Sequence, residues 1–328
     1  MKRSFTLIEL ILVVVILGIL GTISTEILRN TYLGYVKSKE LNRLSFKTDM
    51  VLNIIAAKLQ NRIKNSVIAV ECNATNNDCN TSGNKNFISV NELSSSNSYR
   101  YPVLEWLNVS VYSKRGMWDA SQNRVQPGWS GFVDLKKTKT LGNDTYEIIT
   151  PDSNFSITKQ IDQAWIDSWG VPNTGDVFAE KYDVLVFSGP DGRGDFSDVN
   201  NSYGYYGHNA QRVFQITPNT DTNLTVQAIS PTNSTTVYEG YYIVRGAMAI
   251  VPVYDSRYND FNLTLRQNYF PWNAEMYMDG NWSLLATHVT QFKFKEDGGI
   301  IRLYICITSP SAKLNDYNLT LCKEKVVF

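Results

Sequence analysis

The side chains able to do chemistry are few, and most stand apart. His208 and His288 have no Gly-x-Ser-x-Gly, phosphate loop or zinc-ligand spacing near them, so no enzyme is expected. His288 alternates within a strand-like pattern and reads as structural. Cys72, Cys79, Cys306 and Cys322 form two local pairs, neither spaced as Cys-x-x-Cys. Two disulfides formed in an oxidising compartment suit that arrangement better than a metal site. Gly189 to Asp198 follows a strand-like run and offers Asp191, Asp195 and Asp198 within eight residues. Carboxylate oxygens on a glycine-rich loop suit Ca²⁺, although the spacing is not that of an EF-hand. A structural Ca²⁺ is the one cofactor this pattern offers.

One further carboxylate stands where charge is usually excluded. From Phe5 to Ile23 the only charged residue is Glu9, and Lys2 and Arg3 precede the run. Nineteen apolar helical residues just span a bilayer, whose core needs roughly 20. The basic pair places the N-terminus in the cytoplasm and sends the remainder outward across the membrane. A cleaved secretory signal explains the basic pair and the apolar run but not Glu9. A carboxylate within a membrane helix is expensive and is retained where it has a role.

The stretch Lys2-Arg3-Ser4-Phe5-Thr6-Leu7-Ile8-Glu9-Leu10 resembles the class III signal of type IV pilins and type II secretion pseudopilins. The resemblance implies cleavage between Ser4 and Phe5 by prepilin peptidase, methylation of the new amine, and retention of the apolar segment. It also implies that Glu9 pairs with the terminal amine of a neighbouring subunit, favouring correct axial register. Ser4 departs from the family, which usually has Gly before the cut, so slower processing is expected. The size of the chain and its Trp129-Ser130-Gly131-Phe132 patch are similar to the larger minor pseudopilins of the J-like kind, or to the large minor pilins called W. The implied function is a minor pseudopilin of a type II secretion or competence pseudopilus, without catalysis and placed at its tip; the alternative is a minor pilin acting as a pilus-tip adhesin. Its partners would be other pilins or pseudopilins in a filament, prepilin peptidase and the inner membrane. With 31 basic and 31 acidic residues, no nucleic-acid-binding field is implied.

The elements that must position these residues follow from periodicity. Residues 1–4 form a leader, 5–23 a membrane helix, 24–66 an amphipathic continuation of the stem, and 67–328 a strand-rich domain. Leu41, Leu44, Thr48, Val51, Leu52, Ile55, Leu59 and Ile63 recur at helical steps and predict the face that packs on the domain. Strands are expected at Leu107–Val111, Tyr182–Phe187, Val213–Ile216 and Tyr241–Val253, with a short helix near Thr158–Trp169. Phe292–Lys295, a turn at Glu296–Gly299 and Ile300–Ile307 read as a hairpin, with Cys306 tying the tail through Cys322. The fold class is α+β: one long N-terminal helix packed on antiparallel sheet, pilin-like.

Asn-x-Ser/Thr occurs eleven times, and in eight cases an acidic residue stands two before the Asn: Asn73, Asn80, Asn154, Asn200, Asn223, Asn262, Asn281 and Asn318. Asn108, Asn143 and Asn233 lack it. With 31 acidic residues in 328, independence gives about one in eleven. The pattern resembles the Asp/Glu-x-Asn-x-Ser/Thr acceptor of bacterial periplasmic N-glycosylation. Asn73 and Asn80, in the polar Cys72–Cys79 region, are the expected best acceptors, and Asn281, beside Trp282, is expected to be too ordered for use.

Overall fold

The structure, a computed structural model, describes residues 7–72, 79, 85–94, 96–168, 175–188, 198–230, 237–309 and 319–328. Helix α1 runs Leu7–Leu59, 53 residues and therefore about 80 Å long. No Pro interrupts it. It ends at Leu59 rather than near residue 66, and Arg62 supplies the reason. The buried Arg62 guanidinium donates to the carbonyl of Leu59 (2.8 Å), and also to those of Gly299 (3.1 Å) and Phe328 (3.4 Å). A cation there satisfies an orphan carbonyl and complements the helix dipole. It also fastens the helix end to the far end of the sheet.

The strands are β1 (Ile68–Val70), β2 (Phe87–Ser89), β3 (Val103–Val109), β4 (Met117–Asp119), β5 (Arg124–Gln126), β6 (Lys139–Gly142), β7 (Thr145–Ile149) and β8 (Asp183–Phe187). They continue as β9 (Val213–Pro218), β10 (Asn223–Ala228), β11 (Tyr241–Asp255), β12 (Asp260–Tyr269), β13 (Asn281–Asp297), β14 (Ile300–Thr308) and β15 (Thr320–Val327). Among the described residues three shorter α-helices accompany them: α2 (Val111–Arg115), α3 (Phe155–Ser168) and α4 (Val199–Ser202). Among the described residues, thirteen strands form one antiparallel sheet with the order β15-β14-β13-β12-β11-β8-β9-β10-β7-β6, and β3, β1 and β2 branch from β11. The strands β4 and β5 make a separate hairpin.

Two apolar clusters divide the core. In one, Leu44, Val51, Leu52, Ile55 and Leu59 of α1 meet Leu104, Trp106, Met248, Ile250, Leu263, Leu303, Ile305 and Ile307. The helical stripe read from the sequence is therefore the buried face, with Thr48 bonded to the carbonyl of Leu44 at 2.7 Å. The second cluster gathers around β8, β9 and β10, where Phe187 and Phe214 pack edge to face at 4.9 Å.

Several expected elements shift. Val111 opens α2 instead of ending a strand, because Ser110 turns the chain: its hydroxyl bonds Asp162 and Ser113, and its carbonyl accepts from Trp129. The last hairpin has a tighter turn than expected. Glu296 and Asp297 stay in β13, and only Gly298 and Gly299 turn, at φ 61° and 80°. Two successive positive φ values are what a two-residue hairpin turn requires, and glycine adopts them without a Cβ clash.

Candidate functional site

The first half of α1 is the part of the molecule that its own fold leaves open. Leu7, Leu10, Ile11, Leu12, Val14, Leu17, Ile19 and Leu20 are each more than half exposed. The segment is long and apolar enough to cross a membrane, and none of it is covered by the domain. Three of its hydroxyls are turned onto the helix backbone. Thr22, Thr25 and Thr31 each donate at 2.8 Å to the carbonyl of Ile19, Gly21 and Ile27, respectively. Such back-bonding leaves an apolar exterior, as lipid or a packed helix bundle demands. Glu9 lies in the first turn, where a carboxylate interacts favourably with the helix dipole.

Docking begins near Glu40 and is polar at its margin. Ser309 donates to Glu40 at 2.5 Å, Lys47 donates to the carbonyl and hydroxyl of Thr287 at 3.0 and 3.1 Å, and Lys323 reaches the Ser45 hydroxyl at 2.7 Å and the Asp49 carboxylate at 2.5 Å. Arg43 and Glu40 pair along the helix, and that contact holds the Glu40 carboxyl below its ordinary range. The stem therefore leaves the domain from a fixed seat.

The other residues singled out by sequence fall as follows. Both cysteine pairs are bonded, Cys72 to Cys79 and Cys306 to Cys322. Cys306 and Cys322 face each other across β14 and β15 in register, so the bridge reinforces an existing strand pair. Ser4 and Phe5 lie outside the described residues, as do Asp191, Asp195, Asn73, Asn80 and Asn318. Asp198 is described; its carboxylate accepts from the Asn201 carboxamide at 2.5 Å. Among the described residues no group of three or more His, Cys, Asp or Glu side chains could hold a metal ion. His288 sits in β13 at φ 60°, bonded through Nδ1 to Asp260 at 2.8 Å, with the Tyr258 ring edge-on at 4.7 Å. The bond spans β12 and β13 beside a shift in their register.

The sequence reading missed a set of buried charges. Arg245, on β11, is nearly enclosed; it pairs with Asp162 of α3, lies 3.4 Å from Asp183 and donates to Ser110 at 2.7 Å. Its guanidinium also sits over the Trp165 ring at 5.2 Å. Burial brings the Arg245 pKa down to about 9 and pushes the Asp183 carboxyl well above its ordinary range. The cluster is thus an Arg245–Asp162 pair beside a second carboxyl whose charged form burial disfavours. Glu105 on β3 is likewise enclosed, and burial raises its pKa to about 7, opposed by the Tyr206 hydroxyl that donates to it at 2.7 Å. Two signals in the sequence pointed to the Arg245 cluster. Arg245 interrupts an apolar run from Tyr241 to Val253, and Asp162 falls on the Thr158–Ile166 face of α3.

Residues 1–25 match the family model described as the prokaryotic N-terminal methylation motif. That motif supports a place for the chain in the type IV pilin and pseudopilin family. No match to the chain was found among curated proteins or among solved structures.

Proposed function

We propose that this chain, a pilin-like precursor by its N-terminal motif, is a minor pseudopilin built into a secretion or competence pseudopilus, at or near its tip. Prepilin peptidase cuts between Ser4 and Phe5, the amine is methylated, and the apolar half of α1 passes from the inner membrane into the filament. The domain lies on the periplasmic side, and the subunit works by assembly, without catalysis or a cofactor. The observation that carries this reading is the exposed apolar length of α1 with Glu9 in its first turn. An apolar face of that extent calls for lipid or for other helices. Once assembled, the Glu9 carboxylate serves the amine of a neighbouring subunit.

A second reading, a pilus-tip adhesin, uses the same stem. It is favoured by exposed aromatics on the domain: Tyr99, and Trp118 on the β4–β5 hairpin. Both readings meet the same first test. Glu9→Ala should be cleaved and inserted normally, because removing a charge from an apolar helix eases insertion, while its share of sheared or cross-linked filaments drops. Filaments holding the variant at wild-type levels would contradict the assembly role.

A further inference from the structure

We infer that the domain is N-glycosylated, and that among its described sequons the acceptor is Asn281. The inference rests on the domain lying outside the inner membrane. All eleven sequons fall between residues 73 and 318, and none lies on α1. Eight have a carboxylate two residues before the Asn, where composition alone gives about one. Glycans placed this way would coat the domain and leave the stem free to pack, since they are bulky and solubilising.

The structure separates the five described sequons that have this carboxylate. Asn154 caps α3, its side-chain oxygen accepting from the Ile157 N–H at 3.0 Å, and the next residue, Phe155, is buried. Asn200 is followed two positions later by the buried Ser202, whose hydroxyl donates to the Asp198 carbonyl at 2.7 Å. The Asn223 carboxamide nitrogen already donates to Glu147 at 2.7 Å. Asn262 lies within β12, and its hydroxyl partner Thr264 is buried and donates to the Val251 carbonyl at 3.0 Å. Each of these four would have to give up packing or a hydrogen bond to enter a transferase.

Asn281 differs. Asn281, Trp282 and Ser283 are all exposed, Trp282 by 64%. They pair with Gln267, Arg266 and Leu265 of β12, but β14 joins β13 only from Val289 onward. Among the described residues this stretch is therefore bonded on one side only, at the very start of its strand, where local opening costs least. Asp279 is also exposed, on the turn before the strand, with its carboxylate accepting from the Met276 N–H at 2.8 Å. The expectation that Asn281 is too ordered is thus corrected: it is ordered, but open.

The step needs a lipid-pyrophosphate-linked oligosaccharide and a membrane transferase. The Asn281 carboxamide nitrogen forms a bond to the sugar C1. The C1–O bond breaks with its electron pair leaving on the lipid pyrophosphate, and the amide proton passes to a base of the transferase. The fold supplies its own control at Asn143. That residue is exposed on the turn between β6 and β7 at φ 51°, with Thr145 two positions on, but Leu141 stands where the carboxylate would be.

The test is glycopeptide mass spectrometry, with disulfide mapping, of the full-length chain from bacteria carrying a periplasmic oligosaccharyltransferase and its lipid-linked oligosaccharide. The expected result is glycan on Asn281 and none on Asn143. Asp279→Asn, which keeps an oxygen for the Met276 N–H, should lose the Asn281 glycopeptide, and Leu141→Asp should create one at Asn143. Occupancy of Asn143 in the wild-type chain, or of Asn281 in Asp279→Asn, would overturn the carboxylate rule. Glycan on Asn154, Asn200, Asn223 or Asn262 with Asn281 bare would overturn the structural ranking. A bare Asn281 in a chain with both disulfides formed would end the inference and leave export standing. A bare, fully reduced chain would end both.

Discussion

The stem and the domain invert each other's chemistry. The first half of α1 is almost wholly apolar and lies exposed, whereas the domain encloses Arg245, Asp162, Asp183 and Glu105. Apolar surface facing outward is a surface unfinished within one chain. Charge facing inward is tolerated only where a partner or a proton neutralises it. The domain completes itself through contacts between distant parts of its own sequence. The stem is completed by something outside the chain. Energetic consequences of mutation should therefore divide between unfolding and assembly.

The largest effect on unfolding is expected at Arg245. Arg245→Met leaves Asp162 enclosed without its cation, and removing one member of a buried pair costs about 3–5 kcal/mol. Denaturant unfolding of the full chain in detergent micelles measures it; a loss below about 1 kcal/mol would mean that the cluster relaxes into water. Next comes the seat of the helix. Leu52, buried against the sheet, should cost about 2–5 kcal/mol as Ala, read by the same unfolding curves.

The bridge between Cys306 and Cys322 closes a 16-residue separation. Replacing both with Ser should lower stability by about 3 kcal/mol in the chain-entropy account. A loss well short of that would show that the β14–β15 pairing alone fixes the tail.

Glu105 gives a pH dependence. Its carboxyl is raised from 4.5 to about 7 in the folded chain, so the native state binds the proton more tightly. Its contribution to stability is present below pH 4.5 and is lost as pH rises towards 7, by up to about 1.4 kcal/mol per pH unit. Glu105→Gln keeps an acceptor for Tyr206 and should flatten that part of the stability profile; an unchanged slope would assign the dependence elsewhere. The smallest effect on unfolding sharpens the contrast. Leu17→Ala, on the exposed stem, should stay within about 0.5 kcal/mol of wild type, yet reduce filament incorporation.

How much of this was legible in the sequence follows the same division. The stem was readable because its signal is local: an apolar run, one carboxylate, two basic residues and a stripe at helical spacing. The hairpin around Gly298-Gly299 and both cysteine pairs were readable for the same reason. The helix end at Leu59 was not, because it depends on Arg62 meeting Gly299 and Phe328 from the other end of the chain. Nor were the partners of the buried charges, since Ser110 meets Arg245 across 135 positions and Tyr206 meets Glu105 across 101. Val111 looked like strand by alternation, and a polar knot at Ser110 turned it into helix. Asn281 reads as too ordered because Trp282 stands beside it; its exposure depends on where β14 starts, and periodicity carries no record of strand register.

The most direct test of the account is the mass of the mature chain. Intact-mass analysis of the membrane-extracted protein should show a chain that begins at Phe5, with a methylated amine, and retains the whole of α1. A chain beginning near residue 25 would mean that the apolar segment is a discarded secretory signal, and the stem, with the assembly built on it, would be contradicted.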